Sequence, residues 1–290
     1  MIVVAGGSGL LGRHVVAELV GKGVKVRVLT RDTARARALF DDRVEVVSGD
    51  VRRRDGLDEA VADAEMVVSA VHGFLGGRGA GPAEVDDRGN AHLVEAAAAA
   101  DAGVVLVSAS GASPDHPIDL FRAKFAAEEY LRESEAPWVI VRPPAYLETW
   151  LGILSTTAGA SGRPLVFGRG VQPIPFVSVL DVAAVVTRAA TDPTVRGRVI
   201  EVAGEPITMN DLARALQDAR GWRGPARHVP RPLLRLLSVA AAPLSPAFAR
   251  QNRTALAMDT GVPRPEAPVV GPIDGPRRTL GDVLAGSSVA

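Results

Sequence analysis

The chain has 290 residues, balances 33 Lys and Arg against 33 Asp and Glu, is 47% hydrophobic and contains no cysteine. A net charge of zero gives the molecule as a whole no field to attract nucleic acid or anionic lipid, and the missing cysteines exclude disulfides, thiolate metal sites and a Cys nucleophile. No apolar run approaches the roughly 20 residues of a membrane span, and Arg13 and His14 interrupt the apolar start where a signal peptide would need its hydrophobic stretch. The expectation is a cytoplasmic protein with no integral membrane segment, built as one large α/β domain or one plus a small appendage.

In chain order, a β-branched run at 2–5 feeds Gly6-Gly7-Ser8-Gly9-Leu10-Leu11-Gly12 and then a helical pattern over 12–20. The glycines fit both G-x-x-G-x-x-G and G-x-G-x-x-G. A strand, a glycine turn and a helix N-terminus together aim backbone N–H groups and the helix dipole at one point, an anion site suited to a pyrophosphate. The plain alternative is a tight βα turn with no ligand. Further strand-like runs fall at 25–30, 44–48, 66–70, 104–108 and 138–141, with the strongest helical patterns at 86–101 and 118–133. Such alternation predicts parallel strands joined by crossovers, an α/β doubly wound parallel sheet of the NAD(P)-binding Rossmann kind, in which ligands bind beyond the carboxyl ends of the strands. The residues just after each strand are therefore the candidates.

After the second run stands Thr30-Arg31-Asp32. Thr30 takes the place of the carboxylate that would hold ribose hydroxyls, and Arg31 offers a planar cation suited to a phosphate, which favours NADP(H). If Asp32 turns in instead, NAD is selected. Gly49-Asp50 after the third run either brings a carboxylate to an adenine amine or makes a turn and a helix cap. Ser69-Ala70-Val71-His72 leads into a glycine-rich loop whose small residues would let a cofactor lie flat, and His72 is either an acid–base group or incidental. Ser108-Ala109-Ser110 follows the fifth run. On the next helix Lys124 sits at the edge of the apolar stripe with Leu120, Ala127 and Leu131, either snorkelling to water or projecting its ammonium into a cleft.

These segments, with Asp87-Arg88-Gly89-Asn90, Glu128-Glu129-Tyr130-Leu131, Val141-Arg142-Pro143-Pro144 and the run from Phe176 to Ala183, resemble the short-chain dehydrogenase/reductase superfamily in its extended-to-atypical branch, close to NmrA-like and isoflavone-reductase-like proteins. The resemblance covers nearly the whole chain. It implies that Gly6, Gly9, Leu10 and Leu11, within the turn that includes Ser8 and Gly12, surround the pyrophosphate. It implies further that Arg31 meets the 2′-phosphate, and that Asp50 and Val51 meet the adenine. Ala70, Val71 and His72 run beside the ribose and nicotinamide, Ser108 joins that cofactor wall, Lys124 anchors the nicotinamide ribose and Pro143 borders the nicotinamide.

One departure matters. The superfamily's tyrosine belongs four residues before the lysine, and that position is Leu120, which cannot give or take a proton. Tyr146, after the sixth run, and Lys124 itself are the candidate replacements, with Ser110 either bonding the substrate carbonyl or capping a turn. Tyr130 lies well round the helix from Lys124. Residues 1–150 thus read as the cofactor-binding core, and 151–290 as a substrate-side region that returns to the core through a helix at 181–190 and a strand at 198–202. The pattern from Ser178 to Asp181 reads as a capping box. The Leu-, Ala- and Pro-rich stretch 229–258 reads as helices lidding the cleft, rather than a membrane-surface helix or a partner groove.

Two functions stay open. The preferred one is an NADPH-dependent reductase, with NAD as the lesser cofactor option, acting on a small carbonyl, quinone or conjugated substrate as a monomer or homodimer. The other is a non-catalytic NADP(H)-binding sensor or assembly protein. Epimerase or dehydratase chemistry is a weaker third, because it needs the missing tyrosine.

Overall fold

Each of the β-branched runs becomes a strand, and all but the edge strand at 44–48 are buried on both faces, as a parallel sheet covered by helices requires. The computed structural model describes residues 1–261 and 277–286. The part of the 151–290 region outside those bounds lies outside the described residues. The strands are β1 (Ile2–Ala5), β2 (Val26–Thr30), β3 (Val44–Ser48), β4 (Met66–Ser69), β5 (Gly103–Val107) and β6 (Trp138–Arg142), followed by the short β7 (Ala145–Tyr146), β8 (Leu165–Phe167) and β9 (Pro173–Val177), then β10 (Arg198–Glu201), β11 (Glu205–Thr208) and β12 (Arg227–Val229). Among the described residues, seven of them form one parallel sheet in the order β3-β2-β1-β4-β5-β6-β10. The chain moves outward from β1 to β3, then returns to β4, so the strand order reverses between β1 and β4. That switch opens the crevice in which such folds bind ligands.

Alternating strand residues face opposite ways. Ile2, Val4, Val28, Val68, Val105 and Val139 join α1 (Leu10–Gly21), α2 (Thr33–Leu39) and α7 (Val179–Thr191) in one core layer. Val3, Ala5, Leu29, Val67, Leu106 and Ile140 join α3 (Leu57–Val61), α4 (Gly89–Ala99) and α5 (Asp119–Glu133) in the other. Helix α7 and strand β10, from beyond residue 150, complete this sandwich. A third cluster, around Leu147, Leu151, Leu154, Phe176 and Leu212, joins α6 (Leu147–Ala158), α8 (Met209–Arg220) and α11 (Leu280–Gly286). It lies beside a small sheet in the order β11-β9-β7. Two last helices, α9 (Arg231–Ala240) and α10 (Pro246–Thr260), pack on each other.

Two expectations need correction, and one small sheet was not read from the sequence. The helical pattern over 86–101 is not one α-helix: a π-helical turn, Ala83–Arg88, runs into α4. There Asn90 reaches back to donate to the Asp86 carbonyl at 2.6 Å, while its own Oδ1 accepts from Ser69, and such widened turns concentrate at functional sites. The small sheet escapes a sequence reading because prolines argue against strands; Pro175 and Pro206 are register partners across the β9–β11 ladder. The capping box at Ser178 is only half present. Ser178 Oγ accepts from the Leu180 N–H, but the Asp181 carboxylate turns away to bind Arg278, through the backbone N–H at 2.9 Å and Nη1 at 2.6 Å. Glu148, from α6, takes the Val179 N–H instead.

Candidate functional site

The carboxyl ends of β1, β2, β4, β5 and β6 bring the candidate residues to one edge of the sheet. In the β1–α1 turn the glycines have different reasons for being glycine. Gly6 has φ +79°, and a Cβ there would sit 2.8 Å from the Ala70 carbonyl oxygen. A Cβ on Gly12 would come within 2.2 Å of the Gly6 oxygen, and one on Gly7 within 2.8 Å of Val28. These three let backbone and strand pack closely. Gly9 is different: it is exposed, and a Cβ would meet only the Gly6 oxygen, at 3.1 Å. Gly9 is also the N-cap of α1, and no side chain caps the helix. The N–H groups at the start of α1 are left for an anion, and Gly9 keeps the approach clear. Leu11 is buried in the core, while Ser8 and Leu10 stay partly open and Ser8 Oγ lies 3.4 Å from Thr30 Oγ1.

At the tip of β2, Thr30 is buried and its hydroxyl accepts the Asp32 N–H at 3.2 Å. Asp32 is the N-cap of α2, its Oδ1 accepting from the Arg35 N–H at 2.9 Å. Arg31 is exposed, and its charge is one of the causes holding the Asp50 carboxyl below its ordinary value, the hydrogen bond from Arg52 being the largest. Asp50 is in fact forked by Arg52, whose Nη1 runs on to the Gly79 carbonyl at 3.0 Å. Val51 is buried beneath Gly89 and gives its carbonyl to His92.

Beyond β4, the Ala70 N–H donates to Ala5 O and its carbonyl closes over Gly6. His72 is reached by solvent, yet protein surrounds it closely enough that desolvation lowers its pKa from 6.5, with Asp86 raising and Lys124 lowering it. A side chain both open and crowded stands in a concave cleft.

Lys124 is 5% exposed. Its ammonium donates to the Val71 and Val107 carbonyls, both at 2.9 Å, and lies 3.0 Å from Asp86 Oδ1. Two of its N–H groups therefore have backbone acceptors, and the contact with Asp86 is an ion pair, short without being aligned as a hydrogen bond. Asp86 is fully buried, and its other oxygen takes the Gly73 N–H at 2.6 Å.

Ser108 is buried and donates to Glu128, which also binds Arg142 and Arg132; Arg142 continues to Glu201 at 3.1 Å. Ser110 is partly open, its N–H bonded to the carbonyl of the buried Pro143 at 2.9 Å. Leu120 is half-buried one turn before Lys124. Tyr146, paired with Val177 across β7 and β9, packs against the core and bonds neither Lys124 nor Ser110. Burial, and then Glu148, push its phenol well above 10. The superfamily reaction instead needs a lowered phenol pKa.

Two residues that the sequence reading did not single out shape the site. Asp86 is one. The other is Arg250 of α10, 6% exposed, which binds the Phe74 carbonyl at 2.7 Å, the Gly76 carbonyl at 3.2 Å and Asp119 at 3.1 Å. Helix α10, packed on α9, thus clamps the glycine-rich loop that borders the crevice. No local sequence signal marks either contact.

The residues present fit a dinucleotide: an uncapped helix start, a turn held open at Gly9, a free-standing cation at Arg31, and a cleft wall made of backbone and small side chains. Comparisons with known proteins agree. The sequence profile of the NAD(P)H-binding family matches residues 6–193. The chain is 31% identical over 226 residues to the (4-alkanoyl-5-oxo-2,5-dihydrofuran-3-yl)methyl phosphate reductase of Streptomyces griseus, covering 76% of this chain and 74% of that one. It is 28% identical over 235 residues to the NAD(P)H azoreductase of Xenophilus azovorans, covering 79% and 76%. Its fold is similar to an NADPH-dependent quinone oxidoreductase of Escherichia coli solved in complex with NADPH, with a TM-score of 0.74, 20% identity and coverage of 98% and 99%. Among the described residues no helix is long and apolar enough to cross a membrane.

Proposed function

Because the chain belongs to the NAD(P)H-binding family, within the atypical short-chain dehydrogenases/reductases, we propose that it is an NADPH-preferring reductase of a small carbonyl, quinone or conjugated substrate. The observation that carries the cofactor reading is the division of labour at the β2 tip. Asp32 is spent on capping α2, while Arg31 stands exposed beside it; that arrangement suits a 2′-phosphate better than bare ribose hydroxyls. The reductase relatives in two bacteria support the reaction class.

The bound nicotinamide supplies the hydride. The chain's own residues hold and shield the reacting edge. Gly9 and the start of α1 receive the pyrophosphate. Lys124, fixed by Asp86, Val71 and Val107, places positive charge behind the crevice. Ser110, beyond β5, and Tyr146, on β7, are the hydroxyl-bearing candidates for the substrate side. A Tyr146 phenol held above its ordinary pKa keeps its proton through the neutral range, so it serves as a hydrogen-bond donor to developing negative charge on a substrate oxygen.

A second reading has its own observations. Leu120 removes the usual acid, and Lys124 already spends two N–H groups on backbone carbonyls and its charge on Asp86, which favours a protein that binds NADP(H) without using its hydride. An absorbance screen of NADPH consumption against quinones, aldehydes and enones separates the two. Turnover with at least one class is expected, with Tyr146→Phe lowering it by about a hundredfold or more while NADPH affinity holds. A flat response across the panel with tight NADPH binding selects the non-catalytic reading.

A further inference from the structure

Helix α9 is amphipathic the wrong way round for a surface helix in water. Its buried positions are Leu234 and Ser238, and Arg231 is tied to Asp259 at 2.6 Å. Its outward arc is apolar. At 100° per residue, Val239, Leu236, Ala240, Leu233 and Leu237 fall within about 160° of the helix circumference with no charge among them. Leu236 is 62% exposed and Val239 73%. The turn into α10 extends the patch with Leu244, 90% exposed, and Phe248 follows on α10 itself. Leu75, on the loop clamped by Arg250, borders it, and Arg78 of the same loop reaches the Pro243 carbonyl.

Charge along this stretch of the chain is one-sided. Seven arginines and no Asp or Glu lie between residues 219 and 258, in a chain whose total charge is zero. Arg223, Arg235 and Arg253 are exposed and pair with no carboxylate among the described residues. Arg235 borders the apolar arc of α9 next to Val239.

We infer that α9 and its turn into α10 form a docking surface for an anionic lipid bilayer. Leu233, Leu236, Val239 and Leu244 enter the acyl boundary, and Arg235 and Arg253 meet headgroup phosphates. A bilayer interface is the surrounding that satisfies an exposed apolar stripe and unpaired guanidinium groups together. A second copy of the chain fits less well, because a two-fold contact through this patch would bring its arginines against their own symmetry mates. Arg250, which clamps the glycine-rich loop, is buried and is not among the docking side chains, so docking through α9 does not draw on the crevice's own groups.

The test uses the full-length chain and flotation with phosphatidylcholine vesicles, plain or enriched in phosphatidylglycerol. Leu236→Glu with Leu244→Glu removes the apolar insertion, and Arg235→Glu with Arg253→Glu reverses the charge. All four side chains are exposed, so unchanged circular dichroism melting verifies the fold of each variant. The expected result is binding to the phosphatidylglycerol vesicles that falls at least about tenfold in the leucine pair and in the arginine pair. It also weakens at about 1 M salt, where the Debye length is only about 3 Å. Three results overturn the inference: no flotation of the parent chain, flotation that survives the leucine pair, or sedimentation showing a dimer that Leu236→Glu with Leu244→Glu dissociates while the parent ignores vesicles.

Discussion

Replacing Lys124 by methionine keeps the stem and removes the charge, and the surroundings set what that costs. Lys124 is 5% exposed and Asp86 is fully buried, 3.0 Å away. Without the ammonium, Asp86 keeps only the Gly73 N–H as a close partner, and the Val71 and Val107 carbonyls each lose a donor. Removing one partner of a buried pair costs about 3–5 kcal/mol, because the other charge stays behind. At about 2–4 °C per kcal/mol for a domain of this order of size, the melting temperature should fall by about 6–20 °C. Thermal unfolding followed by circular dichroism reads this directly. The double variant Lys124→Met with Asp86→Asn removes both charges, and its loss should be smaller than the sum of the two single losses by about 0.5–3 kcal/mol. A single variant that melts within about 2 °C of the parent, about 0.5–1 kcal/mol on the same scale, would refute the idea that Asp86 depends on this ammonium. The comparison also guards the functional test, since a loss of NADPH affinity in Lys124→Met counts as a cofactor contact only if the double variant loses it too.

Other outcomes follow from the same geometry. Gly9→Val should abolish NADPH binding by calorimetry with the fold intact. Gly12→Val, whose Cβ falls 2.2 Å from the Gly6 oxygen, should not fold; equal NADPH affinity in folded Gly9→Val would remove the pyrophosphate assignment. Arg31→Ala should weaken NADPH roughly tenfold to a hundredfold, a charge-assisted bond of about 1.5–3 kcal/mol, and leave NADH nearly unchanged. Tighter NADH than NADPH binding by the parent would contradict it. His72 should titrate below 6.5 by NMR, and Asp86→Asn should move it further down, because the Asp86 charge is what raises it against desolvation; an upward move would be inconsistent with this electrostatic picture. A folded pKa below the unfolded one means that the His72 contribution to stability is complete above 6.5 and is lost as the pH falls through the folded value.

Local residue choice made the main sheet readable. Val-rich runs with Gly, Asp or Ser at their ends mark β1 to β6 within a residue or so, since a doubly covered parallel strand needs little else. The β1–α1 turn was legible because its chemistry is contained in seven consecutive residues. Lys124 could be placed at the edge of an apolar stripe by helical spacing, but its partners could not: Asp86 looked like the start of an ordinary helix, and Val71 and Val107 contribute only carbonyls, which carry no side-chain signature. Asp181 shows the same limit from the other side. A three-residue spacing from Ser178 gave it a local explanation, and a guanidinium 97 positions later took its carboxylate instead. The small sheet was hidden by the prolines of β9 and β11, which its ladder tolerates because Pro175 and Pro206 are register partners.

The Arg250 clamp also sets an order of assembly. A nascent chain carries everything needed for β1 to β6 well before residue 250 has been made, and neighbouring βα units close with short loops. The Gly73–Gly81 loop, however, takes its bonds at Phe74 and Gly76 from a side chain 176 and 174 positions downstream. Until that side chain arrives the loop is held at its ends by Asp86 on Gly73 and Arg52 on Gly79 and by turns such as Gly76 N–H to Gly73 O, and the wall at Phe74 and Gly76 is completed last. A chain released before α10 would therefore have a nearly complete sheet and an unfinished pocket, vulnerable to proteolysis at the glycine-rich loop while the strands around it resist.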